Sequence, residues 1–197
     1  EALKVRRETL GDRHPNTLIS INNVGSLLQA QGKYDEAEPP FREDLQVSRE
    51  TLGDRHPNTL GSINNLGLLL KDQGKYDEAE PLMREDLQAC REMLGDRHPH
   101  TLISIGNLAD LLRERGQLDA ASAELGDAVA VATEVLGADH QLTLVTVAKA
   151  ARLTLAQTGN LEPLREAVGR MKAVLGKENP QTVKYAKAAA EAGVGSA

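Results

Sequence analysis

Four histidines recur at one position of a repeated motif, and histidine can act as a general base or bind a metal ion. The nine residues LGDRHPNTL at 10–18 return unchanged at 52–60, as LGDRHPHTL at 94–102 and as LGADHQLTL at 136–144. The histidines concerned are His14, His56, His98 and His140. A zinc ion needs its ligands about 2 Å from one shared point, and a nucleophile must lie about 3 Å from its base. Whether these histidines can meet depends on the elements that carry them.

The chain is built on a period of 42 residues. One set of equivalent glycines is spaced by 42, 42, 42 and 39 residues: Gly11, Gly53, Gly95, Gly137 and Gly176. A second set is spaced by 42, 42 and 43 residues: Gly32, Gly74, Gly116 and Gly159. Residues 11–52 and 53–94 differ at only ten of 42 positions. Each repeat is thus cut by its glycines into two segments of similar length.

Both segments have the apolar spacing of an amphipathic helix. In the first repeat the apolar positions are Leu18, Ile21, Val24, Leu27 and Leu28 in one segment and Ala37, Phe41, Leu45 and Leu52 in the other. The glycines at 11 and 32 suit the left-handed position just past a helix end. Pro39 is tolerable near a helix start, whereas Pro40 predicts local strain or a loosened turn.

The sequence therefore predicts an all-α protein of about four helix pairs with partial helices at both ends. The predicted first helices span 16–31, 58–73, 100–115 and 142–158, and the second helices span 34–51, 76–93, 118–135 and 161–174. We expect one array over 1–197, with a partial helix at 1–10, repeats at 11–52, 53–94, 95–136 and 137–175, and a closing helix at 181–192.

In such an array the four histidines lie on a line. Packed helices are about 10 Å apart, and equivalent residues of stacked repeats are translated along the array, so the histidines cannot converge on a metal or a nucleophile. Each lies in the connection before a first helix, where His14 or Asn16 can cap the helix and Pro15 suits its first turn. Asn179 replaces the histidine in the last copy. We interpret the motif as a seam between repeats.

Composition excludes several classes of function. Aromatic residues make up only 2% of the chain and its net charge is −6, which argues against binding nucleic acid or anionic membranes. The single cysteine, Cys90, cannot form an internal disulfide. We expect no cofactor, no metal and no catalytic residues, a cytoplasmic location, and a chain that is a piece of a larger protein.

The stretch SINNLGLLLKDQGKYDEAEPLMREDLQACREMLGDRHP at 62–99 resembles a tetratricopeptide repeat (TPR) of the 42-residue kind found in kinesin light chains. The resemblance covers about residues 2–183. It implies a right-handed superhelical solenoid of helix-turn-helix repeats, whose first helices line a concave groove for a peptide or partner segment.

Two departures from the family pattern stand out. Asp44 and Asp86 occupy a second-helix position where the family has a small alanine, as at Ala128. Either a basic residue of a neighbouring helix meets these carboxylates, or the packing is looser there. The fourth repeat is degenerate around residues 149–153 and is expected to act more as a cap than as a binder.

The resemblance also implies which positions face the groove. They are Ile19, Asn22, Asn23, Ser26, Gln29 and Ala30 in repeat one; Gly61, Asn64, Asn65, Leu68, Lys71 and Asp72 in repeat two; and Ile103, Gly106, Asn107, Asp110, Arg113 and Glu114 in repeat three. Four of the ten differences between repeats one and two fall at these six positions: Ile19/Gly61, Ser26/Leu68, Gln29/Lys71 and Ala30/Asp72.

An asparagine amide offers both donors and an acceptor, so it can bind the backbone of an extended peptide of any sequence. The column Asn23, Asn65 and Asn107 is therefore expected to hold a partner's backbone while its varied neighbours select side chains. The alternative is that these asparagines are only solvated polar residues. The charges of the predicted groove are mixed and show no clean basic clamp.

We therefore predict a non-enzymatic scaffold that binds a protein or peptide partner. The competing hypothesis is a structural arm that stacks end to end through its truncated first repeat or packs on neighbouring domains.

Overall fold

The computed structural model describes residues 2–194, and all regular structure within them is helical. Eleven helices follow one another in this described part: α1 (Ala2–Leu10), α2 (Pro15–Ala30), α3 (Tyr34–Leu52), α4 (Pro57–Asp72), α5 (Tyr76–Leu94), α6 (Pro99–Glu114), α7 (Leu118–Leu125), α8 (Ala128–Leu136), α9 (Gln141–Thr158), α10 (Glu162–Leu175) and α11 (Pro180–Val194). The predicted all-α class is confirmed. Every predicted first helix begins and ends within one residue of the observed one. Residue 1 of the predicted partial helix lies outside the described residues.

The seams between repeats form as the sequence predicts. Gly11 and Gly32, which follow helix ends, have φ angles of +85° and +74°, a region that side chains other than hydrogen disfavour. His14 is the N-cap of α2, and its Nδ1 accepts a hydrogen bond of 3.1 Å from the backbone N–H of Asn16. In the last copy Asn179 Oδ1 accepts from the N–H of Gln181 at 2.9 Å.

The other three histidines repeat this contact. His56, His98 and His140 each accept through Nδ1 from the backbone N–H two residues on, at 3.1 to 3.2 Å. Within residues 2–194 no three metal-ligating side chains come together. The histidines are therefore capping residues, and the interpretation of the motif as a seam is confirmed.

The second helix of the third repeat differs from its prediction. The predicted single helix 118–135 is wrong, because α7 ends at Leu125 and α8 begins at Ala128. Gly126 lies between them with φ +29° and ψ −118°, and the equivalent residue of the repeat before is Arg84. Gly and Asp are both poor helix formers, so the Gly126–Asp127 pair interrupts the helix.

Pro40 behaves differently from the expectation of a loosened turn. α3 is a single helix from Tyr34 to Leu52 that includes both Pro39 and Pro40. Its buried face, which includes Ala37, Phe41 and Leu45, is held against neighbouring helices. Tertiary packing of an amphipathic face outweighs the two missing backbone donors.

The helices group into two compact units, Glu1–Ala89 and Cys90–Ala197. In the first unit α3 packs against α2 and α4, and Phe41 and the isoleucines Ile21 and Ile63 are among its buried residues. In the second unit α6 packs beside α9, and α9, α10 and α11 surround a core that includes Leu144, Met171 and Tyr185.

The predicted apolar face of α2 is only partly buried. Leu18 and Ile21 are buried, but Val24 and Leu27 are 36% and 59% exposed. Their equivalents in α4, Leu66 and Leu69, are 2% and 0% exposed. The preceding helices differ, because α1 packs on α2 whereas α3 packs on α4.

Two glycines inside first helices should respond oppositely to substitution by alanine. A Cβ at Gly25 would lie 2.9 Å from two ring carbons of the buried Phe41, whereas a Cβ at Gly61 meets no heavy atom within 4 Å. We expect Gly25→Ala to lower the free energy of unfolding by about 1–3 kcal/mol through overpacking. Gly61→Ala should raise it by about 0.5–1 kcal/mol, because alanine loses less entropy in a helix. Urea unfolding followed by circular dichroism measures both changes, and a neutral Gly25→Ala would show that the Phe41 ring can move aside.

Candidate functional site

The predicted groove positions of the first unit lie on α2 and α4 and are joined by side-chain hydrogen bonds. Asn65 Nδ2 donates to Asn22 Oδ1 at 3.1 Å, and the Ser26 hydroxyl donates to the same oxygen at 3.3 Å. Nearer the helix ends, Gln29 Nε2 donates to Asp72 Oδ2 at 3.0 Å. These residues therefore form one polar surface, which we call the α2–α4 face.

The remaining predicted residues of this face differ in accessibility. Asn23 is exposed and makes no side-chain hydrogen bond within the described residues. Asn64 and Leu68 are half-buried, and Ile19 and Ala30 are exposed. Lys71 Nζ lies 3.0 Å from Asp72 Oδ1. The most accessible polar amide of the predicted set in this unit is that of Asn23.

A cavity of about 190 Å³ opens between the first halves of α2 and α4. Its lining residues are Pro15, Leu18, Ile19 and Asn22 on α2, Asp44 and Ser48 on α3, and Pro57, Asn58, Gly61 and Ser62 on α4. Three predicted groove positions, Ile19, Asn22 and Gly61, thus border one concave site. Sequence reasoning did not find this cavity, because it is made by the packing of three helices.

Asp44 lines the cavity and is only 3% exposed. The Ser62 hydroxyl donates to its Oδ2 at 2.6 Å, and no basic side chain pairs with it within the described residues. Burial raises the pKa of Asp44, the Ser62 hydrogen bond opposes this, and the nearby negative charge of Glu43 adds to the rise. The expectation that a basic residue of a neighbouring helix meets Asp44 is therefore wrong. The cavity beside Asp44 agrees with the other expectation, that the packing is looser there.

Replacing Asp44 by a neutral isostere should stabilise the chain at neutral pH. The folded-state pKa of Asp44 is raised, so its protonated form contributes to the free energy of unfolding. This contribution is complete below the ordinary pKa of 3.8 and is lost as the pH rises through the raised pKa. Asp44→Asn stays neutral and can still accept from Ser62, so we expect it to raise the free energy of unfolding by about 1 kcal/mol at pH 7.

Urea unfolding at neutral and acidic pH measures this effect, and the gain should shrink as the solution is acidified towards the ordinary pKa of 3.8. Glu43→Gln is the matched control, since it removes the same charge one residue away but from a half-exposed pair with Arg7. Such pairs contribute about 0–1 kcal/mol. A loss of stability in Asp44→Asn at pH 7 would contradict the argument.

The predicted positions of the second unit are less accessible. Gly106 and Asp110 are buried, Asn107 and Arg113 are half-buried, and Ile103 and Glu114 are exposed. We call this surface, together with the α9 residues beside it, the α6–α9 face.

Asp110 is the centre of an ion cluster on the α6–α9 face. Its Oδ2 lies 3.1 Å from Lys149 Nζ, and its Oδ1 lies 4.0 Å from Arg152 Nη1 and 3.9 Å from Arg113 Nε. Lys149 Nζ also donates to Asn107 Oδ1 at 3.1 Å. A Cβ at Gly106 would lie 3.0 Å from the Lys149 side chain, so the glycine leaves room for it.

This cluster keeps Asp110 ionised. Burial alone would raise the pKa of Asp110, but the positive charges of Lys149 and Arg152 outweigh it and hold the pKa below its ordinary value. Tyr185 of α11 packs beside the cluster, with its ring centre 5.9 Å from the Arg152 guanidinium. Burial, followed by the charge of Asp110, raises the pKa of the Tyr185 hydroxyl. All three predicted site residues of this face, Asn107, Asp110 and Arg113, are thus bound to neighbouring side chains.

Sequence reasoning missed Lys149 and Arg152 because it treated the fourth repeat as degenerate. Lys149 lies 42 residues after Asn107, and Arg152 lies 42 residues after Asp110, so the repeat period itself places them beside their partners. Extending the period one repeat further would have found both.

Paired helices in 42-residue repeats, with polar positions aligned on successive first helices, define a helical repeat protein. A sequence profile of the tetratricopeptide repeat matches residues 17–58, 59–100 and 101–142. These matches cover more than half of the chain, and the chain belongs to the tetratricopeptide repeat family. Each matched repeat starts six residues after the start of the corresponding predicted repeat. The positions of the repeat boundaries therefore stay a prediction.

Similar solved structures are of the kinesin light chain-like type, as the sequence resemblance predicted. A Podosopora anserina kinesin light chain homologue with nearly identical TPR-like repeats is 25% identical in one structure, with a TM-score of 0.70 and coverage of 90% of this chain and 84% of that one. A single-substitution variant of it gives a TM-score of 0.73 at 25% identity, covering 89% and 82%. BtubC (BKLC) from P. vanneervenii, 17% identical, shares the fold with a TM-score of 0.69 over 97% of this chain and 80% of that one.

No curated protein shows significant similarity to this chain. Among the helices of residues 2–194, none is long and apolar enough to cross a membrane.

Proposed function

We propose that this chain is a non-enzymatic interaction module that binds an extended peptide segment of a partner protein along its first helices, as part of a larger protein. The observation that carries the proposal is the hydrogen bond from Asn65 to Asn22, because it joins predicted groove amides of two successive repeats on one face. Tetratricopeptide repeats in general imply a protein partner, and our proposal adds that the partner binds as an extended peptide. The cytoplasmic location stays a prediction.

The chemistry of the α2–α4 face suits a peptide backbone. Repeats spaced by about 10 Å match about three residues of an extended chain, so the amides of successive repeats can reach peptide groups about three residues apart. Asn23 offers an exposed amide, and Ile19 offers exposed apolar surface beside it. Each hydrogen bond contributes only about 0.5–1.5 kcal/mol net, so several repeats must act together.

The two faces differ in charge. The α6–α9 face and the adjoining α11 carry four cations, Arg113, Lys149, Arg152 and Lys184, against the carboxylates of Asp110 and Glu114. The α2–α4 face carries the Lys71–Asp72 pair and borders the buried Asp44. Each face would therefore have its own charge preference for a bound segment.

Removing two amides of the α2–α4 face should weaken peptide binding. We expect peptides selected from a random library against the full chain to bind the Asn23→Ala/Asn65→Ala variant about tenfold more weakly, since two hydrogen bonds are lost. Fluorescence anisotropy measures the dissociation constants. The matched control is Gln46→Ala/Gln88→Ala, which truncates two equivalent exposed amides on second helices. Unchanged binding in the asparagine variant would overturn the proposal.

A second candidate function is favoured by the exposed apolar residues Val24 and Leu27. Residues at their positions are buried in the next repeat, so a second copy of the chain that covers them would extend the array end to end. Such a contact is heterologous, since one end of a copy meets the opposite end of the next.

This alternative predicts assembly that depends on Leu27. Sedimentation velocity over a range of concentrations should then show oligomers that Leu27→Lys reduces at least tenfold in association constant, because a charge would be buried in the contact. Val135→Lys, at an exposed valine of α8, is the matched control. A monomer at all concentrations would reject the structural role.

A further inference from the structure

The cavity between α2 and α4 is lined by one carboxylate, that of Asp44, together with apolar residues and the polar side chains of Asn22, Ser48, Asn58 and Ser62. Pro15, Leu18 and Ile19 form one wall, Pro57 and Gly61 lie on the other, and α3 supplies Asp44 and Ser48. Its volume of about 190 Å³ is enough for a single side chain but not for a bulky ligand.

Gly61 leaves one wall open. The equivalent residues of the repeats before and after are Ile19 and Ile103. A Cβ at Gly61 would meet no heavy atom within 4 Å, so nothing in the packing requires glycine here. Glycine in the middle of a helix lowers stability relative to alanine. The residue thus leaves space on the α2–α4 face at the expense of helix stability.

Asp44 gives the cavity its charge preference. The carboxylate accepts one hydrogen bond, from Ser62, and no cation within the described residues neutralises it. A buried carboxylate without a cationic partner is unfavourable unless it is protonated or a cation binds beside it. Asp110 shows the contrasting arrangement in this chain, with Lys149 at 3.1 Å.

An anion does not fit the cavity, although it adjoins the starts of two helices. Pro15 and Pro57 have no N–H, and the N–H groups of Asn16 and Asn58 already donate to the histidine caps. The helix starts therefore lack the free donors that hold an anion. A metal ion is also disfavoured, because no three ligating side chains come together within residues 2–194.

We propose that this cavity binds a basic side chain of the partner peptide, with its methylene stem against the prolines and Leu18 and its cationic head against Asp44. Long basic side chains bury an apolar stem while their charge pairs with a carboxylate, which matches a cavity lined by apolar residues and one carboxylate. The inference rests on the proposed peptide-binding function and names one residue type that the peptide contains.

The first experiment tests the cavity without any peptide. The full chain is titrated with n-butylammonium, an analogue of the lysine side chain, and with n-butanol as an uncharged control, while NMR follows the Asp44 carboxyl carbon and the Gly61 and Ser62 amides. We expect saturable shifts with n-butylammonium only. Asp44→Asn and Gly61→Ile should each weaken its binding at least tenfold, and Glu43→Gln should leave it unchanged. Equal binding of n-butanol, or no effect of Asp44→Asn, overturns the proposal.

The stability of Asp44→Asn separates binding from a structural role. If Asp44 were needed for folding, its replacement would lower both the stability of the chain and its binding of n-butylammonium. We expect Asp44→Asn to abolish binding while it makes the chain more stable at pH 7. Loss of n-butylammonium binding together with unfolding would overturn the assignment of Asp44 as a binding residue.

The second experiment tests whether a partner supplies the side chain. Each basic residue of a library-selected peptide is replaced in turn by norleucine. One replacement should weaken binding to the native chain about tenfold but leave binding to Asp44→Asn unchanged, because the charge pair is already lost there. Peptides that need Asn23 and Asn65 but no basic residue overturn this inference and leave the groove intact. If no peptide binds, the proposed function fails and the inference fails with it.

Discussion

The capped seam between successive helices is the interaction on which the rest of the structure depends. A glycine with positive φ follows the end of one helix, and three residues later a histidine ring accepts a backbone N–H at the start of the next, as at Gly11 and His14. The proline that follows has no donor to satisfy. Because this unit recurs every 42 residues, it fixes the register of every first helix, and equivalent residues such as Asn22 and Asn64 lie at equivalent positions of successive repeats. The polar faces are a consequence of that register.

Local interactions explain why so much of the fold could be predicted. Caps, glycines and apolar spacing act within a few residues, so the first helices were located to within one residue. The helix predictions that were wrong depend on tertiary packing or on two residues acting together. The break at Gly126 depends on two weak helix formers in one turn, and the continuity of α3 through Pro40 depends on packing of Phe41 and Leu45.

The candidate site was less predictable than the fold, since it depends on which residues of different helices meet. The asparagine positions follow from the repeat pattern, and Asn22 and Asn65 do lie together. The cations that pair with Asp110, Lys149 and Arg152, lie in the fourth repeat, and only an extension of the 42-residue period into that repeat places them beside it. The cavity needs three helices and a missing side chain at once, so no local pattern reveals it.

Two buried carboxylates in the same chain show how their surroundings determine what a charge can do. Asp110 is paired with cations, its pKa is lowered, and it fastens α9 to α6. Asp44 has only a hydroxyl, its pKa is raised, and it borders open space. A paired charge is satisfied internally and has little left to offer a ligand, whereas an unpaired one favours any cation that can reach it. Repeats one and two are nearly identical, but repeat two has Gly61 where repeat one has Ile19. The missing side chain leaves space beside Asp44, and the helix register is unchanged. Small changes on a fixed register therefore give otherwise similar repeats different surfaces.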